Sequence, residues 1–477
     1  MNAQAIDHIA LLPAYLAALT ALAVLVVDLF SGRSALVLGV AAAGLAAVSI
    51  AAARLVGLGD RSTLCAEDGC SYVTTGPGSG IVIVLCALGL AVLGMSAATL
   101  AAEDVAHGEY VFLLLCSLTG AIVLAYAGDL ITVIVAVETL TLPLYVLVAA
   151  RRRRLAAAEA AVNILVVSVA AGAVTLFGAA LLYAATSTMH LDALAVALEG
   201  DVGALHVVAI AMVIGGLAFK VAAVPLHGWA PGAYDGAPLP IAAHLSTVSK
   251  LGGVVALLWI VTRGLGPLAA TGGLIIAIIS IATMTVGNLA ALRQTRAVRL
   301  LAWSSIAQAG YLLAPFAILA AEPDDTAVVA IAVLGYAVFY VLLEATAFAA
   351  VTALRGTRDD GGSLSDYAGA ARRHPLTGGA LILALIGLAG LPPGFAGLFA
   401  KVTVVSALAV PAPVVAIVVG VNAVIALTYY LRFARVLLAR APFPNVPQPW
   451  PVAFTVAAST AAVVIIGFAP QFVLNLV

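Results

Sequence analysis

An all-α integral membrane protein is what this sequence predicts, on three grounds. Apolar residues fill 64% of its 477 positions while only 9% are charged. Mean hydropathy is +1.18, outside the range of soluble domains. Apolar runs long enough to cross a hydrocarbon core recur from one end to the other. The net charge of −1 gives no basis for nucleic-acid binding, and no polar stretch is long enough for a soluble domain.

Fourteen such runs lie between polar breaks, near 8–30, 35–57, 80–101, 110–127, 130–150, 155–185, 204–227, 238–262, 267–290, 299–320, 326–354, 376–408, 412–438 and 452–475. The first lacks a basic leader, and its first arginine, Arg33, follows it, so it reads as a retained span rather than a cleaved signal. Spans two and three flank the loop RSTLCAEDGCSYV. There Cys65 and Cys70 either pair, as an oxidising compartment permits, or stand as two free thiols. Span five carries Glu138, with Pro143 just beyond it. Spans six and twelve are long for one crossing, which predicts tilt or a break. Span seven carries Lys220 and Pro225, span eight His244 and Lys250. Ser304, Ser305, Gln308 and Tyr311 lie on span ten, Glu344 on span eleven, and Pro392, Pro393 and Lys401 on span twelve.

Arginines orient the bundle. With the N-terminus outside, Arg33, Arg151 to Arg154, Arg293, Arg296, Arg299, Arg355, Arg358, Arg372, Arg373, Arg432, Arg435 and Arg440 all fall in inner loops, against Arg54, Arg61 and Arg263 outside. An excess of basic residues marks the cytoplasmic side, and an even span count then places both termini outside.

Two spans carry proline and glycine in their middles. Pro225 supplies no N–H and crowds the Val221 carbonyl, one residue from Lys220; Pro392 and Pro393 do the same to Leu388 and Ala389, shortly before Lys401. Unpaired backbone at membrane depth survives only where protein or water satisfies it. Breaks in corresponding places point to a transporter repeat, although two unrelated proline kinks would also fit. Spans seven and twelve are five apart, an odd number, so the two units must be inverted. This divides the chain into an N-terminal segment 1–104, units 105–264 and 265–440, and a C-terminal helix 441–477.

All three lysines of the chain, Lys220, Lys250 and Lys401, lie inside spans. An intramembrane charge costs about 2.5–3.5 kcal/mol on insertion scales, and a buried lysine, unlike arginine, can release its proton. With Glu138 they form a candidate proton pathway. A Glu138–Lys220 pair suits a switch, because a near carboxylate favours the ammonium and a distant one does not. Ser246 and Thr247 stand one turn before Lys250 and could hold water beside it. His244, Gln308, Ser304, Ser305 and Tyr311 are candidate relays. The opposing reading makes these charges static helix glue, the role towards which Glu344 leans. No metal site is expected.

The stretch FKVAAVPLHGWAPGAYDGAPLPIAAHLSTVSK at 219–250 resembles the central signature of the antiporter-like subunits of respiratory complex I. That pattern is a lysine, a V-P-x-H-x-W-x-P segment, a G-A-P-x-P turn and a second lysine. VETLTLPLYVL resembles the family's glutamate helix, RLLAWSSIAQAGY the start of its tenth span, and GLPPGFAGLFAK its second broken helix. The likeness covers most of 105–440. A lysine in the outer half of span twelve, this length and fourteen spans are similar to the N type, whereas the M type carries glutamate there and the L type adds a long lateral helix. Relatives of the N type often carry histidine where this chain has Gln308, which cannot titrate.

The resemblance implies a proton-translocating subunit of a bacterial NADH-quinone oxidoreductase in the plasma membrane. Glu138 and Lys220 would be its coupling pair, Lys250 its central relay and Lys401 its terminal proton site. No cofactor is expected in this chain; NADH, FMN, iron–sulfur clusters and quinone would belong to partner subunits. Membrane lipid and other membrane subunits, especially the M and K types, would be its neighbours. The rival readings are a subunit of a multisubunit cation/proton antiporter or membrane-bound hydrogenase, and a non-conducting assembly scaffold.

Overall fold

The fold is that of a computed structural model, which describes residues 6–102, 105–151, 154–200, 202–356 and 360–474. Arg152, Arg153 and Arg358, used above for orientation, lie outside the described residues.

Helices α1 (Leu12–Ser31) and α2 (Ser34–Leu58) form an antiparallel pair. A short hairpin of β1 (Arg61–Ala66) and β2 (Gly69–Thr74) follows. Next come α3 (Gly76–Ala102), α4 (His107–Leu124), α5 (Leu130–Val148), α6 (Leu155–Thr186) and the short α7 (Leu191–Ala197). Then α8 (Ala204–Ala218), α9 (Trp229–Gly236), α10 (Leu239–Ser246) and α11 (Val248–Trp259) form two interrupted rods. α12 (Ala269–Ala291), α13 (Ala297–Leu313) and α14 (Thr326–Arg355) lead to the small α15 (Ala370–Arg373). The chain ends with α16 (Pro375–Ala389), α17 (Phe395–Leu408), α18 (Pro413–Leu437), α19 (Trp450–Phe468) and α20 (Gln471–Leu474).

Among the described residues, 12 helical stretches are long and apolar enough to cross a membrane, and α8, α16 and α17 are shorter apolar helices. The 204–227 and 376–408 runs are thus each interrupted. In the first, helix stops at Ala218 and resumes at Trp229, so WAPGAYDG forms a largely buried helix rather than a loop. In the second, helix stops at Ala389 and resumes at Phe395. A third break went unforeseen: Thr247, with φ −113° and ψ −81°, separates α10 from α11.

The RSTLCAEDGCSYV segment, read above as plain loop, is the hairpin. Cys65 pairs opposite Cys70 and Ala66 opposite Gly69, leaving Glu67 and Asp68 as a two-residue turn. Cys65 and Cys70 are joined by a disulfide. Gly69 after a polar turn, with Tyr72 and Val73 in the return strand, carries the hairpin signal.

Connections fall into two sets. Val73 N–H donates to Tyr126 O at 2.8 Å and Gly128 N–H to Ser71 O at 2.9 Å, Thr188 donates to Asp68 at 2.5 Å, and Arg263 pairs with Asp192 at 2.8 Å. Asp7 joins this set through Arg61 at 2.6 Å. In the other set, Arg296 pairs with Asp235 at 2.8 Å, Leu364 N–H donates to Thr295 O at 2.7 Å, Arg432 donates to Leu292 O at 2.8 Å, and Arg372 donates to Leu438 O at 2.9 Å.

α10, α11, α13 and much of α14 are buried almost throughout, whereas α1, α2, α6 and α18 expose leucine, valine and isoleucine outward. Apolar side chains outside and polar ones within are what a lipid solvent selects. The buried centre is therefore where charge can reside.

Candidate functional site

All three lysines are enclosed, with 3%, 1% and 7% of Lys220, Lys250 and Lys401 exposed. Each meets a different set of oxygens.

Lys220 sits in the break after α8. Its Nζ donates to Thr141 Oγ1 on α5 at 2.5 Å. Glu138 lies three residues before Thr141 on the same helix face, and it lines one cavity with Lys220, Ser168, Gly172 and Thr175. No ion pair joins Glu138 and Lys220 among the described residues. Around Pro225 the loosened backbone finds partners: Trp229 Nε1 donates to Phe219 O at 3.3 Å, and Val224 N–H to Thr283 Oγ1 at 3.0 Å. The lysine stem passes so close to α11 that a Cβ on Gly253 would meet its Cγ at 2.8 Å.

Lys250 donates to both the carbonyl and the hydroxyl of Ser305 on α13, at 2.5 and 2.6 Å. The Ser246 and Thr247 hydroxyls, expected beside it, instead turn back to Ala243 O at 2.9 and 2.7 Å. Ser305 Oγ also meets Tyr340 OH at 2.7 Å, and Tyr340 donates to Ser246 O at 2.9 Å, a carbonyl next to the Thr247 break.

Lys401 donates to Leu388 O at 3.1 Å and Ala389 O at 2.7 Å. These are the carbonyls that Pro392 and Pro393 cannot satisfy. Its Nζ stands 5.1 Å from the centre of the Tyr311 ring, within cation–π range. Tyr311 OH accepts from Asn288 at 3.1 Å.

Gln308 lies between the last two lysines. Its Nε2 donates to Leu388 O at 3.1 Å and to Tyr430 OH at 3.1 Å, while Tyr336 donates to its Oε1 at 2.5 Å. Ser304 closes the circuit through a hydrogen bond to Tyr430. Lys250, Ser305 and Tyr340 thus approach Tyr336, Gln308 and Lys401 by one turn of α14. His244 lies outside that circuit, towards α4 and α5: its Nε2 meets Ser117 Oγ at 2.9 Å, and Ser117 donates at 2.7 Å to Leu140 O, next in sequence to Thr141. His227 packs its ring on Trp303 at 5.5 Å.

Sequence reasoning missed Tyr336, Tyr340 and Tyr430. For the first two a signal was present: Tyr336, Tyr340 and Glu344 recur at four-residue spacing on one helix, the pattern of a single face.

A family model described as NADH:quinone oxidoreductase/Mrp antiporter, TM, matches residues 127–426, which hold Glu138 and all three lysines. A relative from Salinispora tropica, NADH-quinone oxidoreductase subunit N, is 50% identical over 511 aligned positions, covering 99% of both chains. This chain belongs to the NADH-quinone oxidoreductase N-subunit family. Among solved structures, a chain of respiratory complex I from Thermus thermophilus superposes with a TM-score of 0.78 at 28% identity, covering 97% of this chain and 98% of that one. A chain of the Mrp complex from Dietzia sp. reaches 0.84 at 23% identity over 98% and 96%, a likeness of fold alone. In this N-type chain Gln308 is a junction of three hydrogen-bonding partners, Leu388, Tyr430 and Tyr336.

Proposed function

We propose that this chain carries protons across a bacterial plasma membrane for an NADH-quinone oxidoreductase whose other subunits hold NADH, FMN, iron–sulfur clusters and quinone. Glu138, Lys220, Lys250 and Lys401 are the proton-bearing groups. Ser304, Ser305, Gln308, Tyr311 and His244 orient protons and water between them. The observation that carries this reading is the hydrogen-bonded run from Lys250 through Ser305 and Tyr340, and from Tyr336 through Gln308 to the Leu388 carbonyl held by Lys401. A scaffold has no need for three enclosed ammonium groups.

Counting each interrupted rod as one crossing gives fourteen spans, with two inverted units at 105–264 and 265–440 between segments 1–104 and 441–477. The two loop sets support that alternation. The arginine-rich set faces the cytoplasm and both termini face outward. M- and K-type subunits are the proposed neighbours within the membrane.

The test is Lys250→Ala in the native complex, reconstituted in liposomes, with protons moved per NADH oxidised as the readout. Loss of pumping in an assembled complex supports the pathway. Unchanged pumping would leave the scaffold reading. The Mrp-like fold would make this chain an antiporter subunit if it co-purified with no NADH-oxidising partner.

A further inference from the structure

Glu344 is a buried carboxylate that the route above does not use. It lies on α14, one turn beyond Tyr340 and two beyond Tyr336, on the same helix face. Its side chain is 0% exposed, and neither carboxylate oxygen has a hydrogen-bond partner. An enclosed carboxylate without partners is costly to hold.

Four titratable groups lie within its electrostatic range: Lys250 from α11, Tyr234 from α9, Tyr430 from α18, and Tyr340 of its own helix. Lys250 is the cation among them. Yet Lys250 makes its hydrogen bonds to Ser305, not to Glu344. A buried ion pair that serves as glue needs close geometry and satisfied lone pairs to offset its desolvation, and this pair has neither. The same relation holds at the first lysine, where Thr141 takes the ammonium and Glu138 stands off. In both places a hydroxyl holds the lysine while a carboxylate waits within electrostatic range.

We infer that Glu344 is a fifth protonatable station, exchanging one proton with Lys250 through the hydroxyls of Ser305 and Tyr340. This rests on the proton-pathway reading above. In the exchange an N–H bond at Lys250 Nζ breaks and an O–H bond forms on the Glu344 carboxylate. Ser305 and Tyr340 each pass on one proton and receive one, and no electron changes hands. For the last leg the Tyr340 O–H turns from the Ser246 carbonyl that it now meets, and rotation of the carboxylate, or one water, brings Glu344 to it. The lysine–carboxylate pair keeps the same net charge before and after, so the proton can wait between the two units without adding a buried charge.

The experiment uses Glu344→Gln and Glu344→Asp in the native complex. Glu344→Gln is expected to assemble, to slow pumping several-fold, to change the pH profile of turnover, and to lose a carboxylic C=O band from the NADH-triggered infrared difference spectrum. Glu344→Asp is expected to keep that band at a shifted position and to recover part of the rate. Parent-rate pumping and an unchanged spectrum in the Gln variant would overturn the inference, and if Lys250→Ala still blocked pumping the pathway itself would stand. Should the Gln variant fail to assemble, an unshifted carboxyl band in Glu344→Asp would overturn it instead.

Discussion

Lys401 and Gln308 share one acceptor. The Leu388 carbonyl takes a hydrogen bond from Lys401 Nζ at 3.1 Å and another from Gln308 Nε2 at 3.1 Å. A carbonyl has two lone pairs and can serve both. In an unbroken helix one of them would go to the N–H four residues on, but that residue is Pro392, which has none. The proline break therefore supplies the oxygen on which the lysine and its neighbour meet.

Gln308→Leu tests that junction. The change removes the acceptor of Tyr336 and the donor to Leu388 and Tyr430, all in a buried setting. Leaving a buried polar group unmet costs about 1–3 kcal/mol. The variant is expected to assemble with a lower thermal midpoint and to pump several-fold more slowly, whereas Gln308→Glu keeps the acceptor for Tyr336 and is expected to recover stability more than rate. Thermal unfolding and proton uptake measured on one preparation separate the two effects. A Leu variant with parent stability and rate would show that the junction is idle.

Lys401→Arg addresses the same cradle from the other side. Two carbonyls and the Tyr311 ring suit any cation, so the complex is expected to assemble. A guanidinium keeps its proton at any accessible pH, so pumping is expected to fall strongly. Gly390 constrains the site further: its φ is +83°, and a Cβ there would meet Lys401 Cδ at 2.7 Å. Gly390→Ala is expected to displace the lysine stem and to cost about 1–3 kcal/mol in backbone strain alone. Full pumping by the arginine variant would remove Lys401 from the pathway.

Much of this was legible in the sequence because the membrane imposes simple rules. Apolar runs, proline positions and the three lysines are one-dimensional signals, and Leu388 and Ala389 were identifiable as unsatisfied carbonyls from Pro392 and Pro393 alone. What could not be read were partners brought in by packing. Ser305 reaches Lys250 from a helix 55 residues away, while the nearer Ser246 and Thr247 hydroxyls bond to their own helix. Tyrosines resemble apolar filler in composition, so Tyr336, Tyr340 and Tyr430 passed as core. Thr247 breaks its helix without proline or glycine at that position, and the hairpin was hidden by brevity.

The hairpin offers a test of orientation. If the loop set that includes residues 61–74 faces outward, a membrane-impermeant thiol reagent applied to intact cells should label Cys65 and Cys70 only after mild reduction. Cys86 and Cys116, within helices, should remain unlabelled from that side. The double variant Cys65→Ser, Cys70→Ser is expected to pump at the parent rate, because the bridge closes a loop of few residues and stiffens it only locally. Labelling confined to inverted vesicles would reverse the topology.

Acid should loosen the same hairpin. The Thr188 hydroxyl, with His190 adding its charge, holds the Asp68 carboxyl below the usual carboxylate range. A depressed native pKa contributes stability that is present above the unfolded value of about 3.9 and is lost as pH falls through the native one. Amide-exchange protection of residues 61–74, corrected for intrinsic rates, is therefore expected to hold at neutral pH and to drop only in strong acid. Thr188→Val should move that drop to higher pH. An unmoved transition would mean that Asp68 does not anchor the turn.

The proposed proton path at α5 and α8 turns on whether Lys220 can change partners. Its ammonium rests on Thr141 Oγ1, and Glu138 lies one turn earlier on the same face of α5. Both groups line one small cavity, so a turn of the lysine stem is the route from hydroxyl to carboxylate. Thr141→Val keeps the shape and deletes the hydroxyl, leaving Glu138 as the neighbouring polar group. The ammonium should then be held in an ion pair that favours keeping its proton, so pumping is expected to slow while Thr141→Ser stays near the parent rate. Glu138→Gln acts in the opposite sense: the charge that draws the proton is gone, the lysine stays on Thr141, and proton transfer should again slow several-fold. Protons moved per NADH oxidised, measured with assembly checked in parallel, read both variants. Parent-rate pumping by Glu138→Gln would rule out electrostatic switching by this pair, and parent-rate pumping by Thr141→Val would make the hydroxyl a bystander.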